Sequence, residues 1–134
     1  SSTDYKDLCS LTENWCPRLT EKIKTLLRLD YTIYLTTDHG NVLSHGWRKL
    51  SAEEKVFLYK DGSRGKRHLI YNNKVEQDSF FEENKAEIPL LLHEDWLAVR
   101  NDACFENEGQ TIITHGGSHF MEMVIPFVKI ERNP

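Results

Sequence analysis

The apolar residues of this 134-residue chain form one long helical pattern, followed by a succession of short segments between polar turns. From Leu11 to Leu26 they recur at the spacing of a helix face. Ser10 to Glu13 read Ser-Leu-Thr-Glu, which predicts a capping box at the start of this helix. Pro17 fits the first helical turn. The pattern therefore predicts one amphipathic helix ahead of a region of short elements.

The later segments are rich in β-branched and aromatic residues, which favour strands. We predict strands at residues 31–36, 56–59, 67–71, 96–100, 111–114 and 124–130. The strand at 31–36 is expected to be buried, 56–59 and 67–71 to form one hairpin, and 96–100 and 111–114 another. Residues 42–51 are predicted to be a loop, 79–86 a helix and 120–123 a helical turn, while the type of 89–92 stays open. The predicted fold is α/β, with a central sheet, flanking helices and a β-hairpin insertion, in a single domain over residues 1–134.

The composition excludes several classes of protein. The net charge of −4 gives no global attraction to nucleic acid, so such binding would need a local patch. No apolar run is long enough to span a bilayer. Cys9, Cys16 and Cys104 are an odd number without paired spacing, which favours free thiols in a reducing compartment. The chain is therefore predicted to be cytoplasmic.

Two of the predicted strands end in residues that bind metals, followed at once by glycine. Residues 31–36 lead into Asp38-His39-Gly40, and residues 111–114 lead into His115-Gly116-Gly117. Ligands gather at the carboxyl ends of strands in α/β folds, and oxygen with nitrogen ligands suits zinc or manganese. The alternative is that both are ordinary turns, since aspartate and glycine are frequent turn residues.

Three stretches resemble known family signatures. Tyr-Leu-Thr-Thr-Asp-His-Gly-Asn, residues 34–41, is similar to the strand-and-loop signature of the alkaline phosphatase superfamily. Residues 115–128, from His-Gly-Gly to an apolar strand with proline, resemble the end of PglZ domains. Residues 64–67, before the strand at 69–71, resemble a third PglZ feature. Because the three occur in the family's order, the chain resembles the C-terminal portion of a PglZ domain.

This resemblance implies a set of site residues and a cofactor. Asp38 and His39 match ligands of one catalytic metal, and His115 matches a ligand of the other. Arg67 matches a position where arginine could grip a phosphoryl group. The implied cofactors are divalent metal ions, zinc first and manganese second. The implied fold is the C-terminal part of an alkaline-phosphatase-like fold.

The resemblance also implies that the active site is incomplete. The superfamily's Ser or Thr nucleophile, and a further Asp and His, come from segments ahead of residues 31–36, and nothing in this sequence matches them. We therefore expect a C-terminal fragment of a longer bacterial PglZ-type protein that is inactive in isolation and holds metal weakly or not at all. The parent would be a phosphatase or phosphodiesterase of a phage-defence system, of the BREX or phage growth limitation type, or a response-regulator effector. Its partners would be the remainder of the PglZ protein and other defence components, and its substrate a phosphate ester or nucleotide.

Two other functions stay open. The chain could be a non-catalytic interaction module of a larger complex. It could also be a small nuclease that grips its substrate with a basic hairpin, formed by Lys60, Arg64, Lys66, Arg67 and His68. The roles of Glu122 and His119 are not assigned by the sequence.

Overall fold

The computed structural model describes residues 5–64 and 66–133. Over these ranges the chain forms four helices and nine strands. In chain order they are α1 (Tyr5–Arg28), β1 (Ile33–Thr36), β2 (Val42–Gly46), α2 (Ala52–Val56), β3 (Leu58–Arg64), β4 (His68–Tyr71), α3 (Lys74–Asn84), β5 (Leu90–His93), β6 (Trp96–Val99), β7 (Ala103–Cys104), β8 (Thr111–Thr114), α4 (Phe120–Met123) and β9 (Phe127–Ile130).

The predicted α/β class is confirmed, and the strands are divided among several sheets instead of one central sheet. Within the described ranges, β1 pairs with β9, β2 lies between β7 and β8, and the largest sheet has the order β3-β4-β6-β5. The predicted hairpin of residues 56–71 is confirmed as β3 and β4, although its first strand starts later than predicted and Gly65 lies outside the described residues. The other predicted hairpin is wrong, because β6 pairs with β4 and β5 whereas β8 pairs with β2.

The hydrophobic core lies where α3 packs on β4 and β6. Leu69 and Leu97 from the two strands are completely buried, and Phe80 of α3 is nearly so. The other buried members of this cluster are Leu50, Tyr71, Ile88, Leu90, Val99 and Phe105. Asn73 caps α3 by accepting hydrogen bonds from two backbone N–H groups, so the helix begins earlier than predicted.

Helix α1 contradicts two details of the sequence prediction. It begins at Tyr5, so Ser10 lies inside the helix and does not cap it. Pro17 also lies inside the helix, where its missing N–H costs one backbone hydrogen bond that the long helix tolerates. Its described side chains are exposed apart from a half-buried stripe at Leu19, Ile23 and Leu27. The helix therefore contacts the rest of the described chain along a narrow line.

Strand β2 falls where a loop was predicted, and that prediction is wrong. Its side chains alternate, with Val42 and Ser44 buried and Leu43 and His45 exposed. Strand β1 is half-exposed along its length, so the expectation that it is buried is also wrong. The predicted helical turn at residues 120–123 is confirmed as α4. Strand β9 starts just after Pro126, in keeping with a residue that cannot donate to a ladder.

Among the described residues, no helix combines the length and the apolar character needed to cross a membrane. Cys9 and Cys16 are exposed and Cys104 is buried, and all three are free thiols as predicted.

Candidate metal centre

The two histidine-glycine corners lie side by side because of strand β2. His39 lies in the turn between β1 and β2, and His115 follows β8 directly. Strands β2 and β8 are antiparallel, with Val42 opposite Thr114. The beginning of β2 therefore lies beside the end of β8, and the residues just outside the ladder at each end are brought together. The two corners meet although their strands β1 and β8 belong to different sheets.

The imidazole rings of His39 and His115 are stacked. Their centroids are 3.8 Å apart and their planes are inclined by 23°. His39 Nδ1 lies 2.8 Å from the carbonyl oxygen of Gly40, so this nitrogen carries the proton and donates it. A carboxylate oxygen of Asp38 lies 3.7 Å from the Nε2 atom of His39. The two imidazoles are thus in contact, and the carboxylate of Asp38 lies beside one of them.

The surroundings of His115 favour its neutral imidazole. Burial, followed by the neighbouring His39, lowers the pKa of His115 below its ordinary value. A neutral imidazole has a lone pair that can bind a metal, whereas an imidazolium has none. The side chain of Asp38 is 88% exposed, so its oxygens are open to any ligand that approaches the pair.

The carboxylate of Glu122 holds the corner that carries His115. It accepts hydrogen bonds from Arg67 Nε at 2.7 Å and Nη2 at 2.8 Å. It also accepts from the backbone N–H groups of Gly117 and His119, both at 3.0 Å. Burial raises the pKa of Glu122, but these hydrogen bonds and the charge of Arg67 outweigh it and hold the pKa below its ordinary value. The carboxylate is thus ionised and fully hydrogen-bonded.

The backbone of the same residue holds the other corner. The N–H of Gly40 donates to the carbonyl oxygen of Glu122 at 3.0 Å. A Cβ atom at Gly40 would lie 1.9 Å from the carbonyl oxygen of Met121, so only glycine permits this approach. Glu122 therefore links the two corners, through its side chain to the loop of His115 and through its main chain to the turn of His39.

Arg67 is a buried structural group. Its side chain has no exposed surface, and all five of its N–H donors are engaged. Two donate to Glu122, one to Ser44 Oγ at 3.1 Å, one to the carbonyl oxygen of Asn101 at 2.6 Å and one to that of Ala103. The arrangement fastens β2, the loop before β7 and α4 to the start of β4.

A comparison with family profiles matches residues 2–130 to the BREX system PglZ alkaline phosphatase-like domain. The chain belongs to this family. Comparisons with curated proteins and with solved structures gave no match. The predicted resemblance to PglZ is confirmed over nearly the whole chain.

Alkaline-phosphatase-like proteins generally use divalent metal ions, and the donors in this PglZ chain fit part of such a site. Asp38, His39 and His115 supply a carboxylate and two imidazoles, of which the imidazole of His39 has a fixed tautomer. Among the described residues, however, no three His, Cys, Asp or Glu side chains converge closely enough to hold an ion. The residue types are therefore suitable ligands for a divalent metal ion, but the described residues do not supply a complete coordination sphere.

The geometry does not support the predicted phosphate contact of Arg67, because every donor of this buried guanidinium already has a protein partner. We assign Arg67 a positioning role in the PglZ chain instead. Lys66 of the predicted basic hairpin forms an ion pair with Glu106, which weakens the case for a nucleic-acid grip.

Sequence reasoning left the roles of Glu122 and His119 unassigned, and the structure supplies them. His119 caps α4, since its Nδ1 accepts a hydrogen bond from the N–H of Met121 at 3.2 Å. The spacing of His119 and Glu122 is that of a capping box, although a histidine stands where the usual signature has serine or threonine. The partnership of Glu122 with Arg67, across 55 residues of chain, carried no such signal.

Proposed function

We propose that this chain is the metal-ligand-bearing part of a PglZ-type metal-dependent phosphatase or phosphodiesterase of a bacterial phage-defence system. In this proposal Asp38, His39 and His115 are metal ligands, with zinc as the first candidate and manganese as the second. The observation that carries the proposal is the stacking of the His39 and His115 rings at 3.8 Å, next to the exposed carboxylate of Asp38.

In this proposal Asp38 and His39 bind one metal ion and His115 binds a second, as the family signature implies. The rings of the two histidines lie 3.8 Å apart, so the two ions would be neighbours. Such ions would stabilise the charge on a phosphoryl group during in-line displacement. The chain's own contribution is to hold the two imidazoles at this spacing through Glu122 and Arg67.

We further propose that the chain is a single domain of a longer protein and is inactive alone. A catalytic zinc usually has about three protein ligands. One carboxylate and two imidazoles shared between two ions fall short of that, and no nucleophile is assigned in this sequence. The remaining ligands and the nucleophile would come from the rest of the PglZ protein, with a phosphate ester or nucleotide phosphodiester as substrate. The free thiols favour a cytoplasmic location.

Calorimetric titration of zinc and manganese tests the proposal. The chain alone should bind weakly, and a longer protein that includes the upstream nucleophile strand should bind tightly. Replacing Asp38, His39 or His115 by alanine should abolish the tight binding. His93→Ala is the matched control, because His93 is a more exposed histidine outside the corners and should have no effect. If His115→Ala leaves the affinity unchanged, the metal assignment is wrong.

An activity assay tests the proposed incompleteness separately. The chain alone should not hydrolyse p-nitrophenyl phosphate with either metal present, because it has neither an assigned nucleophile nor a complete set of metal ligands. Robust turnover that disappears in Asp38→Ala would show that the site is complete within this chain.

The second candidate function is a non-catalytic interaction module. The observation that favours it is the exposed apolar surface of α1, α4 and β9, where Trp15, Phe120 and Phe127 are each more than half exposed. If the longer protein binds neither zinc nor manganese but still requires this surface for assembly, the interaction module replaces the phosphatase proposal.

A further inference from the structure

A cleft with a volume of about 330 Å³ lies where the end of α1 meets the chain after β9. It is lined by Lys24, Leu27 and Arg28 of α1 and by Arg132, which follows β9. The antiparallel pairing of β9 with β1 brings Arg132 beside the segment that joins α1 to β1. The turn that contributes to the proposed metal centre follows the other end of β1, so the cleft is separate from that centre.

The charge of this cleft is positive. Among the described residues, three cations and no carboxylate line it. The carboxylate of Glu21 pairs with Lys24 at 2.9 Å, and that of Glu131 pairs with a lysine of β9 at 2.6 Å. Neither Arg28 nor Arg132 forms an ion pair within the described ranges. Two guanidinium charges are therefore uncompensated at one opening, in a chain whose net charge is −4.

The fold explains only part of this arrangement. A cation in the last turn of a helix is stabilised by the negative end of the helix dipole, and this accounts for Arg28. Arg132 belongs to a different element, and the strand pairing places its guanidinium at the same opening as that of Arg28. Two like charges at one opening repel each other, whereas an anion between them is attracted by both. The convergence of the two arginines therefore points to an anionic ligand.

We propose that this cleft binds the phosphate group of a phosphate monoester, at a subsite apart from the metal centre. Such a group carries a charge of about −1.5 to −2 near pH 7 and three acceptor oxygens, which match two guanidinium groups and an ammonium. Guanidinium groups bind phosphate through paired N–H donors, whereas the single charge of a carboxylate matches one guanidinium alone. The half-buried side chain of Leu27 contacts the organic part of the ester. A free phosphate ester and the terminal phosphate of a nucleic-acid strand share this chemistry.

Calorimetric titration of the full chain, at low salt and with a chelator in place of added metal, tests this proposal. The probes are inorganic phosphate and a 5′-phosphorylated thymidine octanucleotide. At least one of them should bind saturably at one site and more tightly than acetate. The double variant Arg28→Gln with Arg132→Gln should weaken this binding by roughly tenfold, since each partly exposed charge pair is worth about two- to fivefold. Lysine at both positions keeps the charge without the paired donors and should restore only part of the affinity.

Arg18→Gln is the matched control, because Arg18 is an exposed arginine of the same helix that does not line the cleft. It should leave the affinity unchanged. Tighter binding of inorganic phosphate would identify a free phosphate ester as the ligand, and tighter binding of the octanucleotide would identify a strand terminus. No saturable binding of either probe at millimolar concentration would overturn the proposal. So would equal binding of acetate, full restoration by lysine, or an equal effect of Arg18→Gln. Because no metal is added, none of these results bears on the metal centre.

Discussion

Two regions of this molecule treat their apolar residues in opposite ways. The packed region, from β2 to β8, buries Leu69, Leu97 and Val99 completely. The open region, made of α1, β1, α4 and β9, leaves large apolar side chains in water, with Trp15 63% and Phe127 71% exposed. This difference indicates that the packed region contributes most of the stability of the described chain. The exposed apolar side chains of the open region are the surface on which the proposed contact with other protein would form.

The histidine corners lie on the border between these regions. His115 follows the last strand of the packed region, whereas Asp38 and His39 follow a strand of the open one. Glu122 connects them, because its carboxylate binds Arg67 in the packed region and its carbonyl oxygen binds Gly40 in the turn after β1. The packed region therefore fixes the position of a site whose other side faces the open region.

The largest effect is expected when the buried ion pair is broken. Glu122→Ala should lower the free energy of unfolding by about 3–5 kcal/mol, because it leaves the buried guanidinium of Arg67 uncompensated. Urea denaturation measures this. Glu21→Ala is the control in the open region, where Glu21 pairs with Lys24 on the exposed face of α1, and it should leave the midpoint unchanged. If the two variants lost similar amounts of unfolding free energy, the two regions would not differ in their contribution to stability.

Core and surface apolar residues should differ nearly as much. Leu97→Ala should cost about 2–5 kcal/mol, because it opens a cavity beneath α3. Trp15→Ala should change stability by less than about 0.5 kcal/mol despite the larger side chain, since this tryptophan is mostly exposed. Thermal unfolding of the two variants compares them directly. A strongly destabilised Trp15→Ala would show that α1 is packed in solution.

A smaller effect is expected at the border itself. Gly40→Ala should cost about 1–3 kcal/mol, because the new methyl group meets backbone atoms of α4. It should also separate the two imidazoles, so the nuclear Overhauser effect between His39 and His115 should disappear. Gly109→Ala is the matched control, since a Cβ atom there meets open space and only its positive φ of 80° is unfavourable. That variant should keep the contact between the rings, and loss of the contact in both would refute a specific role for Gly40.

The smallest expected effect is a loss of folding stability at low pH. The pKa of Glu122 is lowered in the folded state, so the unfolded chain takes up the proton first as the pH falls. The stabilisation is present above the ordinary carboxyl pKa of about 4.3 and is lost as the pH falls through the lower folded-state pKa. Urea midpoints between pH 7 and pH 3 should fall more steeply for the natural chain than for Arg67→Met with Glu122→Leu. Equal slopes would assign the acid sensitivity to other carboxylates.

The sequence singled out two histidine corners that lie together in the structure, but not the strand pairing that brings them together. Strand β2 was missed because its pattern is inverted, with Leu43 outside and Ser44 inside. Ser44 is buried because it accepts a hydrogen bond from Arg67, which lies 23 residues away in the chain. An alternating pattern of apolar residues cannot reveal a strand whose inward-facing side chain is polar because it accepts a hydrogen bond from a buried guanidinium group.

The wrong pairing predicted for β8 and the unforeseen burial of Arg67 have a related cause. Strands separated by a short turn region usually pair, yet β6 is already bordered on both sides by β4 and β5, so β8 pairs with β2 instead. Because Arg67 lies next to a turn that resembles the family's, the sequence favoured a contact between its side chain and a ligand. In the structure the side chain is buried, and its N–H groups donate to Glu122 and to backbone carbonyl oxygens. Long-range partners decide both cases, and a single sequence does not contain them.

Paramagnetic broadening of histidine resonances by Mn²⁺ tests the central claim most directly, because it detects even weak binding. In the chain with labelled imidazoles, substoichiometric Mn²⁺ should broaden the signals of His39 and His115 together. His93, which stacks on Trp96 away from the corners, should stay sharp. The same titration of Gly40→Ala should no longer affect the two residues in parallel. If Mn²⁺ broadens His93 first, or His39 without His115, the two corners do not form one metal centre.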